Sequence, residues 1–285
     1  MTLVLATYNS ISNATLFATV FTLAKPKVGT NPKSFVVGNV VTSLFSNPTS
    51  NYNPATCGGA SYLNLDKNWQ IQLPYSSSNT SGITVIGSPT FQSFASSSFY
   101  VNTTRNAVQF YTANTGITTP GSNSPRTELR QMNATSNGTI PAKWSAYNAH
   151  SLNVTIQVDH VPVSKFLIFT QIVSNLRGAY VTYRVAPVSN LTIFQVLACA
   201  AGKPCTVMDP MYKLGSVISL SVSVFNKTVT SSYANGASKV TSGPFSYTMP
   251  GYKDLSFKLG SYCGITTADL ASYYCQVSLF SATVQ

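Results

Sequence analysis

Strict alternation of apolar and polar residues is the feature that most limits how this chain can fold. Residues 218–224 read Ile-Ser-Leu-Ser-Val-Ser-Val, so every second side chain is apolar. A period of two places all four apolar side chains on one face of a β-strand. Val154, Ile156 and Val158 alternate in the same way, whereas residues 166–169 (Phe-Leu-Ile-Phe) are continuously apolar, as in a strand buried on both faces. These segments predict an all-β protein.

Turn-forming residues separate the predicted strands, and convincing amphipathic helices are scarce. Residues 120–125 (Pro-Gly-Ser-Asn-Ser-Pro) and the Pro250-Gly251 pair are two such breaks. Residues 266–274 are compatible with one or two helical turns. Many short strands within one large domain predict a β-sandwich or jelly roll of two antiparallel sheets.

The chain has 285 residues, and its 44% hydrophobic content is enough to form a core. An Asn/Pro/Ser-rich stretch at residues 46–54 ends an N-terminal part that differs in character from the rest. We predict one jelly-roll domain over residues 59–285. Residues 1–58 are expected to wrap this sandwich rather than form an independent domain. No apolar run approaches the roughly 18 residues of a membrane span, so we expect no membrane partner.

The charge balance points to an anionic partner. The chain carries 17 Lys and Arg against 6 Asp and Glu, a formal net charge of +11. Such an excess concentrates polyanions, but the lysines are dispersed and form no basic run, which argues against nucleic acid. A single glutamate among scattered aspartates argues against a hydrolase with paired carboxylates. His150 and His160 lack a Cys-x-x-Cys partner, which argues against zinc or iron.

Asparagine sequons and cysteines favour a secreted, extracellular protein. Eight Asn-x-Ser/Thr sequons occur, at Asn13, Asn79, Asn102, Asn133, Asn137, Asn153, Asn190 and Asn226. Cys199 and Cys205 bracket a turn-rich loop, and Cys263 and Cys275 bracket a longer one, so each pair is expected to form a disulfide. Cys57 is left over, free or buried. The alternative is five buried thiols.

The one glutamate lies in a basic segment, Arg-Thr-Glu-Leu-Arg at residues 126–130. On a strand, Arg126, Glu128 and Arg130 share one face, about 7 Å apart. The carboxylate can then brace both guanidiniums, whose outer edges can bind carboxylates spaced along a polymer. The alternative is a structural ladder on a solvated sheet face.

Two further segments carry polar residues where strands are predicted. Gln171 ends the buried strand, and a buried amide needs partners or a ligand. Lys258, Gly260 and Tyr262 share a face, and a glycine between two long side chains leaves room for a ligand. The alternatives are an amide at the end of its strand, a lysine reaching for solvent and an ordinary interface tyrosine.

Four motifs occur in one order and carry a resemblance. They are Trp-Gln-Ile-Gln-Leu-Pro at 69–74, Ser-Pro-Arg-Thr-Glu-Leu-Arg at 124–130, Gln-Ile-Val at 171–173, and Phe-Lys-Leu-Gly-Ser-Tyr at 257–262. This pattern resembles polysaccharide lyase family seven, the alginate-lyase jelly rolls, from about residue 60 to residue 283. The Arg-Thr-Glu-Leu-Arg and Lys-x-Gly-x-Tyr elements are the most specific.

The chain departs from the family pattern at three positions. Val173 stands where the family has its active-site histidine, Ser256 replaces a tyrosine, and Gly264 replaces a usual glutamine. His160 matches a variable family position, so we assign neither it nor His150 a catalytic role.

The resemblance implies a jelly roll with a concave substrate groove and a β-elimination reaction on a 1,4-linked polyuronate. Tyr262 would be the base and then the acid, with Arg126 and Gln171 neutralising the uronate carboxylate. A free tyrosine ionises near pH 10, so cationic neighbours such as Arg130 and Lys258 would have to favour its ionised form. The reaction needs no metal or organic cofactor.

The same resemblance implies which residues would hold the substrate. Arg130, Lys258, Glu128 and Val173 form the substrate-binding set, with Glu128 orienting the arginines. We expect a monomer.

Two functions of different classes therefore remain. The first is a secreted polyuronate lyase acting on alginate, on mannuronate-type polymers or on glucuronan. The second is a non-catalytic protein that binds acidic polysaccharide on the same fold, having lost the histidine. The joint presence of Tyr262, Lys258, Arg126, Arg130 and Gln171 favours the lyase, because binding alone has less need of the tyrosine.

Overall fold

A computed structural model describes residues 2–5, 19–22 and 59–285, apart from residues 64, 66–67, 77–81, 120, 137, 189–192, 238–239 and 267. The chain divides into two compact units, Met1–Ser46 and Asn47–Gln285. In the first unit, β1 (Thr2–Leu5) pairs antiparallel with β2 (Thr19–Thr22). The wrapping expected of residues 1–58 stays a prediction. Cys57 lies outside the described residues, so its state stays a prediction too.

The described part of the second unit is almost entirely strand. Its elements are α1 (Gly59–Tyr62), β3 (Trp69–Leu73), β4 (Thr84–Ile86), β5 (Phe99–Asn102), β6 (Ala107–Ala113), β7 (Arg126–Gln131), β8 (His150–His160), β9 (Leu167–Ser174), β10 (Gly178–Pro187), β11 (Phe194–Ala200), β12 (Thr206–Tyr212), β13 (Val217–Phe225), β14 (Thr228–Asn235), β15 (Val240–Thr248), β16 (Leu255–Cys263) and β17 (Tyr274–Val284), with 3₁₀ turns at Thr90–Ser93 and Ala134–Ser136.

These strands form two antiparallel sheets. The eight-stranded groove sheet has the order β12-β11-β10-β9-β16-β7-β3-β4, and the seven-stranded back sheet has the order β15-β14-β13-β8-β17-β6-β5. Neighbouring strands are mostly distant in sequence, as in β9-β16-β7, so the sandwich brings remote motifs side by side. This architecture confirms the prediction of an all-β jelly roll.

The alternating segments form the core as their pattern predicts. In β13 every second residue is buried, and Ile218, Leu220, Val222 and Val224 face the other sheet while the serines between them are exposed. In β8 the same alternation holds. In β9 nearly every side chain is buried, as the unbroken apolar run predicts.

The segment from Thr266 to Tyr274 is not helical, contrary to the expectation of one or two turns. Its described residues form turns, and β17 begins at Tyr274. The Asp269 carboxylate accepts the Thr266 N–H at 2.8 Å, and the Asn114 side-chain amide donates to the carbonyls of Asp269 and Leu270, both at 2.9 Å. Backbone hydrogen bonds run from the Asp269 N–H to the Thr266 carbonyl and from the Tyr273 N–H to the Leu270 carbonyl, so the segment makes separate turns rather than a helix. Among the described residues, no helix is long and apolar enough to cross a membrane.

Both expected disulfides are present. Cys199–Cys205 links β11 to the residue before β12 within the groove sheet. Cys263–Cys275 links the end of β16 to β17 and therefore joins the groove sheet to the back sheet.

Candidate active site

A groove of about 410 Å³ lies on the outer face of the groove sheet. Strands β3, β7, β16, β9 and β10 form its floor, and the loop that contains Thr119, Gly121 and Ser122 forms one wall. Six of the residues predicted for the site line it: Arg126, Arg130, Gln171, Val173, Lys258 and Tyr262. Thr127 and Leu129 are fully buried on the opposite face of β7, as the period of two predicts.

Strand register explains why these residues meet. Lys258 on β16 lies opposite Arg130 on β7 and opposite Gln171 on β9. Tyr262, four residues along β16, lies opposite Arg126. The site therefore has two rows that run across the sheet. Arg130, Lys258 and Gln171 form one row, and Arg126 and Tyr262 form the other.

Glu128 lies beneath this surface rather than on it. Its side chain is only 2% exposed, and it does not line the groove. Its Oε1 accepts a hydrogen bond from Gln171 Nε2, and its Oε2 lies 3.0 Å from Lys258 Nζ and 3.6 Å from Arg126 Nη1. Glu128 therefore fixes three groove side chains from below.

Arg130 has a different partner from the one expected. Its Nη2 donates to Asn175 Oδ1 at 2.5 Å, and the Asn175 side-chain amide donates to the Ala142 carbonyl at 3.0 Å. Glu128 thus reaches Arg126 as predicted, but Lys258 and Gln171 take the place foreseen for Arg130. The residue directly opposite Glu128 on β16 is Gly260, which has no side chain. Lys258, two residues along β16, and Gln171, on the strand beyond, therefore reach the carboxylate across the space above Gly260.

Lys258 is the most buried cation of the groove. Its Nζ donates to Glu128 Oε2 at 3.0 Å and to Gln72 Oε1 at 3.2 Å. Burial lowers the pKa of Lys258 below its ordinary value, and the charge of Glu128 partly opposes this shift. Lys258 therefore loses its charge at a lower pH than an exposed lysine.

Gly260 is required by the backbone conformation and by close packing, and not, as predicted, to leave room for a ligand. Its φ is +138°, a conformation that favours glycine, and it lies at a register shift between β16 and β9. A Cβ at this position would lie 2.6 Å from the Thr127 carbonyl oxygen and 2.9 Å from a ring carbon of Phe110. The register with β7 is unbroken across this glycine, so Tyr262 lies opposite Arg126 as the period of two predicts.

Tyr262 has two close contacts. The guanidinium carbon of Arg126 lies 4.0 Å from the centre of its ring, a cation–π contact. Its hydroxyl lies 3.1 Å from Ser122 Oγ. The cation nearest the tyrosine is thus Arg126, whereas sequence reasoning had assigned that place to Arg130 and Lys258.

Neither histidine of the chain takes the position that Val173 occupies. Val173 lines the groove, opposite Ala179 on β10 and Ser256 on β16. His160 stacks on Tyr274 in the back sheet, with ring centres 3.9 Å apart, and burial lowers its pKa. His150 stacks on Trp144 at 4.5 Å.

Sequence reasoning missed three groove residues that form hydrogen bonds with the predicted site residues. Gln72 could have been found, because it belongs to the recognised motif at 69–74 and alternation in β3 places it on one face with Gln70. Ser122 and Asn175 lie in loops without any periodicity, so no local signal marks them.

Comparison with known proteins identifies the family. A family model described as alginate lyase matches residues 63–285. The chain belongs to the alginate lyase family. No curated protein sequence matches it significantly.

Solved structures of alginate lyases share the fold. One from Corynebacterium sp. is 26% identical over 80% of this chain and 98% of its own, with a TM-score of 0.68. An alginate lyase of polysaccharide lyase family 7 is 23% identical over 81% of this chain and 99% of its own, with a TM-score of 0.69. One from Pseudomonas aeruginosa is 18% identical over 77% of this chain and 98% of its own, with a TM-score of 0.64. The family membership makes the chain a polysaccharide lyase by fold and domain.

Proposed function

We propose that this protein is a secreted lyase that cleaves a 1,4-linked polyuronate by β-elimination. The observation that carries the proposal is the placement of the Tyr262 hydroxyl in a cationic groove with the Arg126 guanidinium against its ring. Arg126, Arg130 and Lys258 face the groove over the single carboxylate of Glu128, so the floor keeps an excess of positive charge for a polyanion.

Carboxylate neutralisation falls to Arg126 and Gln171. The C5 proton of a uronate is not acidic while the neighbouring carboxylate keeps its full charge, so donors aimed at that carboxylate stabilise the enolate-like intermediate. Gln171 Nε2 has two N–H groups, of which Glu128 accepts one. The second remains for the substrate.

Tyr262 would act twice. As tyrosinate it removes the C5 proton, and the resulting phenol donates that proton to the bridging O4 as the C4–O bond breaks and the C4–C5 double bond forms. The cycle returns the tyrosinate, so it requires no external proton donor. Arg126 holds the ring in the groove through its cation–π contact.

Val173 bears on the choice of polymer. In β-linked mannuronate and glucuronate, the C5 hydrogen and the C4 oxygen leave from the same side of the ring, so one tyrosine serves both. In guluronate they lie on opposite sides, and a second proton-transfer group is needed there. Valine cannot supply one. We therefore propose mannuronate- or glucuronate-type linkages as the substrate, with Val173 packing against the sugar ring.

The first test is Tyr262→Phe, followed by ultraviolet absorbance of the unsaturated product. We expect turnover to be lost while polymer binding stays close to wild type, because the ring and the cations remain. Arg126→Ala should lose both, since it contacts the carboxylate before and during reaction. Full activity in Tyr262→Phe would end the assignment of base and acid. Wild-type protein that binds polyuronate but releases no product from any polymer would favour the non-catalytic binding protein.

The second test is a substrate panel of polymannuronate, glucuronan and polyguluronate. We expect product from one or both of the first two and little from the third. A high rate on polyguluronate alone would contradict the substrate proposal and would require another proton-transfer group.

Secretion belongs to the same proposal. Two disulfides suit an oxidising compartment. The sequon asparagines Asn133, Asn153 and Asn226 are exposed. Mass spectrometry of the protein from its native source, with and without glycosidase treatment, tests whether these sites carry glycans.

A further inference from the structure

The wall of the groove places a hydroxyl against the proposed proton-transfer atom. Ser122 Oγ lies 3.1 Å from Tyr262 Oη, 3.1 Å from the Ser124 carbonyl oxygen and 3.3 Å from the Ser124 backbone nitrogen. The serine is 140 residues away from the tyrosine in sequence and belongs to a loop, whereas the tyrosine belongs to a strand. The contact therefore exists because the loop folds back over the groove.

The donors and acceptors of Ser122, Ser124 and Tyr262 can be matched one to one when Tyr262 is neutral. A serine hydroxyl has one donor and two acceptor sites. The Ser124 N–H donates to Ser122 Oγ, which uses one acceptor site. When Tyr262 is neutral, its O–H donates to the other acceptor site, and the serine O–H donates to the Ser124 carbonyl.

Ionisation of Tyr262 reverses its hydrogen bond with Ser122 and releases the one that Ser122 donates to the Ser124 carbonyl. The tyrosinate oxygen needs a donor, and rotation of the serine O–H from the Ser124 carbonyl to Tyr262 Oη supplies it. Both acceptors lie 3.1 Å from Ser122 Oγ, so no heavy atom has to move. The tyrosine oxygen thus keeps its position in both protonation states.

We propose that Ser122 is a positioning residue for catalysis, which holds the Tyr262 oxygen and donates a hydrogen bond to its ionised form. This proposal rests on the proposed function of Tyr262 as base and acid. Ser122 complements Arg126, because the arginine lies against the face of the ring while the serine contacts the oxygen itself. A hydrogen bond to a charged group is stronger than one between neutral groups, so its loss disfavours the tyrosinate.

The test compares Ser122→Ala with wild type by the pH dependence of kcat/KM on the preferred polymer. We expect the acid limb to move upward by about one to two pH units, the shift that a hydrogen bond to a charged group provides. At pH values below the limb, kcat/KM should fall by roughly 10- to 100-fold, mainly through kcat. Ser122→Thr keeps the hydroxyl and should restore the wild-type limb. Asn123→Ala, at the exposed neighbouring position, should leave the profile unchanged.

A spectroscopic readout separates this inference from the proposed function. The phenolate absorbance of wild type minus that of Tyr262→Phe reports the ionisation of the one tyrosine without any substrate. The same difference measured in the Ser122→Ala background should appear at higher pH, whether or not the protein cleaves polymer. An unchanged ionisation, or a loss of activity equal at every pH, would overturn the positioning role. Inactivity of wild type on every polyuronate would instead overturn the proposed function.

Discussion

The outer faces of the two sheets each carry a depression. The two depressions are similar in size, but one is lined by charged side chains and the other is not. The groove holds about 410 Å³, and a trough on the back sheet holds about 500 Å³. The trough is lined by short side chains on β8, β13, β14, β15 and β17, mostly Ser and Thr, and none of the described residues that line it is charged. The groove is lined by cations, amides and a tyrosine.

The difference between these faces shows that volume alone does not mark a functional site. The trough follows from the period of two, which places Ser219 and Ser221 outward wherever apolar residues face the core. The groove requires more than periodicity, because a carboxylate must be buried under it to hold the cations. Buried charge with matched partners therefore distinguishes the groove from a solvated sheet face.

The largest expected effect concerns the two carboxylates that serve the two sheets. Glu128 pairs with Lys258, whose side chain is 10% exposed, whereas Asp159 on the back sheet pairs with Arg105, which is 40% exposed. Glu128→Gln leaves a buried lysine without its counter-charge, which costs about 3–5 kcal/mol. Asp159→Asn leaves an arginine that water can solvate and disturbs the hydrogen bonds that Asp159 accepts from Gln157 and Ser278, which together cost about 1–3 kcal/mol. Urea unfolding of both variants measures the free energies.

Polymer cleavage by the same two variants gives a second comparison of the two sheets. Glu128→Gln should lose most polymer cleavage, because Lys258 and Gln171 lose the group that fixes them. Asp159→Asn should keep wild-type cleavage when the protein is folded. If the two variants lose equal stability and equal activity, the buried carboxylate of the groove sheet is no more important than that of the back sheet, and the contrast is wrong.

The sequence predicts a side chain's surroundings well where alternation within one strand decides them. It predicts them poorly where they depend on a remote strand or loop. Strand periodicity predicted the core of β13 and the common face of Arg126, Glu128 and Arg130. It did not predict that Glu128 bonds across strands, because register between remote strands is a property of the whole sheet. Ser122 was missed for a similar reason, since a loop's position over the groove depends on long-range packing.

A smaller effect is expected from the disulfides. Cys263–Cys275 closes a separation of 12 residues and joins the two sheets, whereas Cys199–Cys205 closes a separation of 6 within the groove sheet. Replacing both cysteines of a pair by serine should lower the free energy of unfolding by about 3 kcal/mol for the first pair and about 2 kcal/mol for the second, by loop-closure entropy. Thermal unfolding measures both. A larger loss from the second pair would mean that the link between the sheets contributes little.

A still smaller effect follows from the burial of Lys258. Because burial lowers its pKa, Lys258 loses its charge at a lower pH than an exposed lysine does. Polyuronate binding by inactive Tyr262→Phe should therefore weaken in the alkaline range before free lysines deprotonate near pH 10.5. Lys258→Met, which is neutral at every pH, should bind more weakly at neutral pH and lack this alkaline step. Equilibrium binding in fixed salt measures it, and an identical step in both proteins would assign it to another group.

The smallest effect is expected in the trough, and it tests whether the two depressions differ in function as they do in chemistry. Ser221 is exposed on β13 and lines the trough, opposite Asn153 on β8 and Ser232 on β14. Ser221→Ala should change the free energy of unfolding by no more than about 0.5 kcal/mol, as for most surface substitutions. Ser221→Lys places a long cation there and should leave both kcat and KM on polyuronate unchanged, because a cation without a neighbouring proton-transfer group adds no chemistry to the face. A fall in cleavage by Ser221→Lys would show that the polymer also contacts the back sheet, and the contrast drawn from charge would then be wrong.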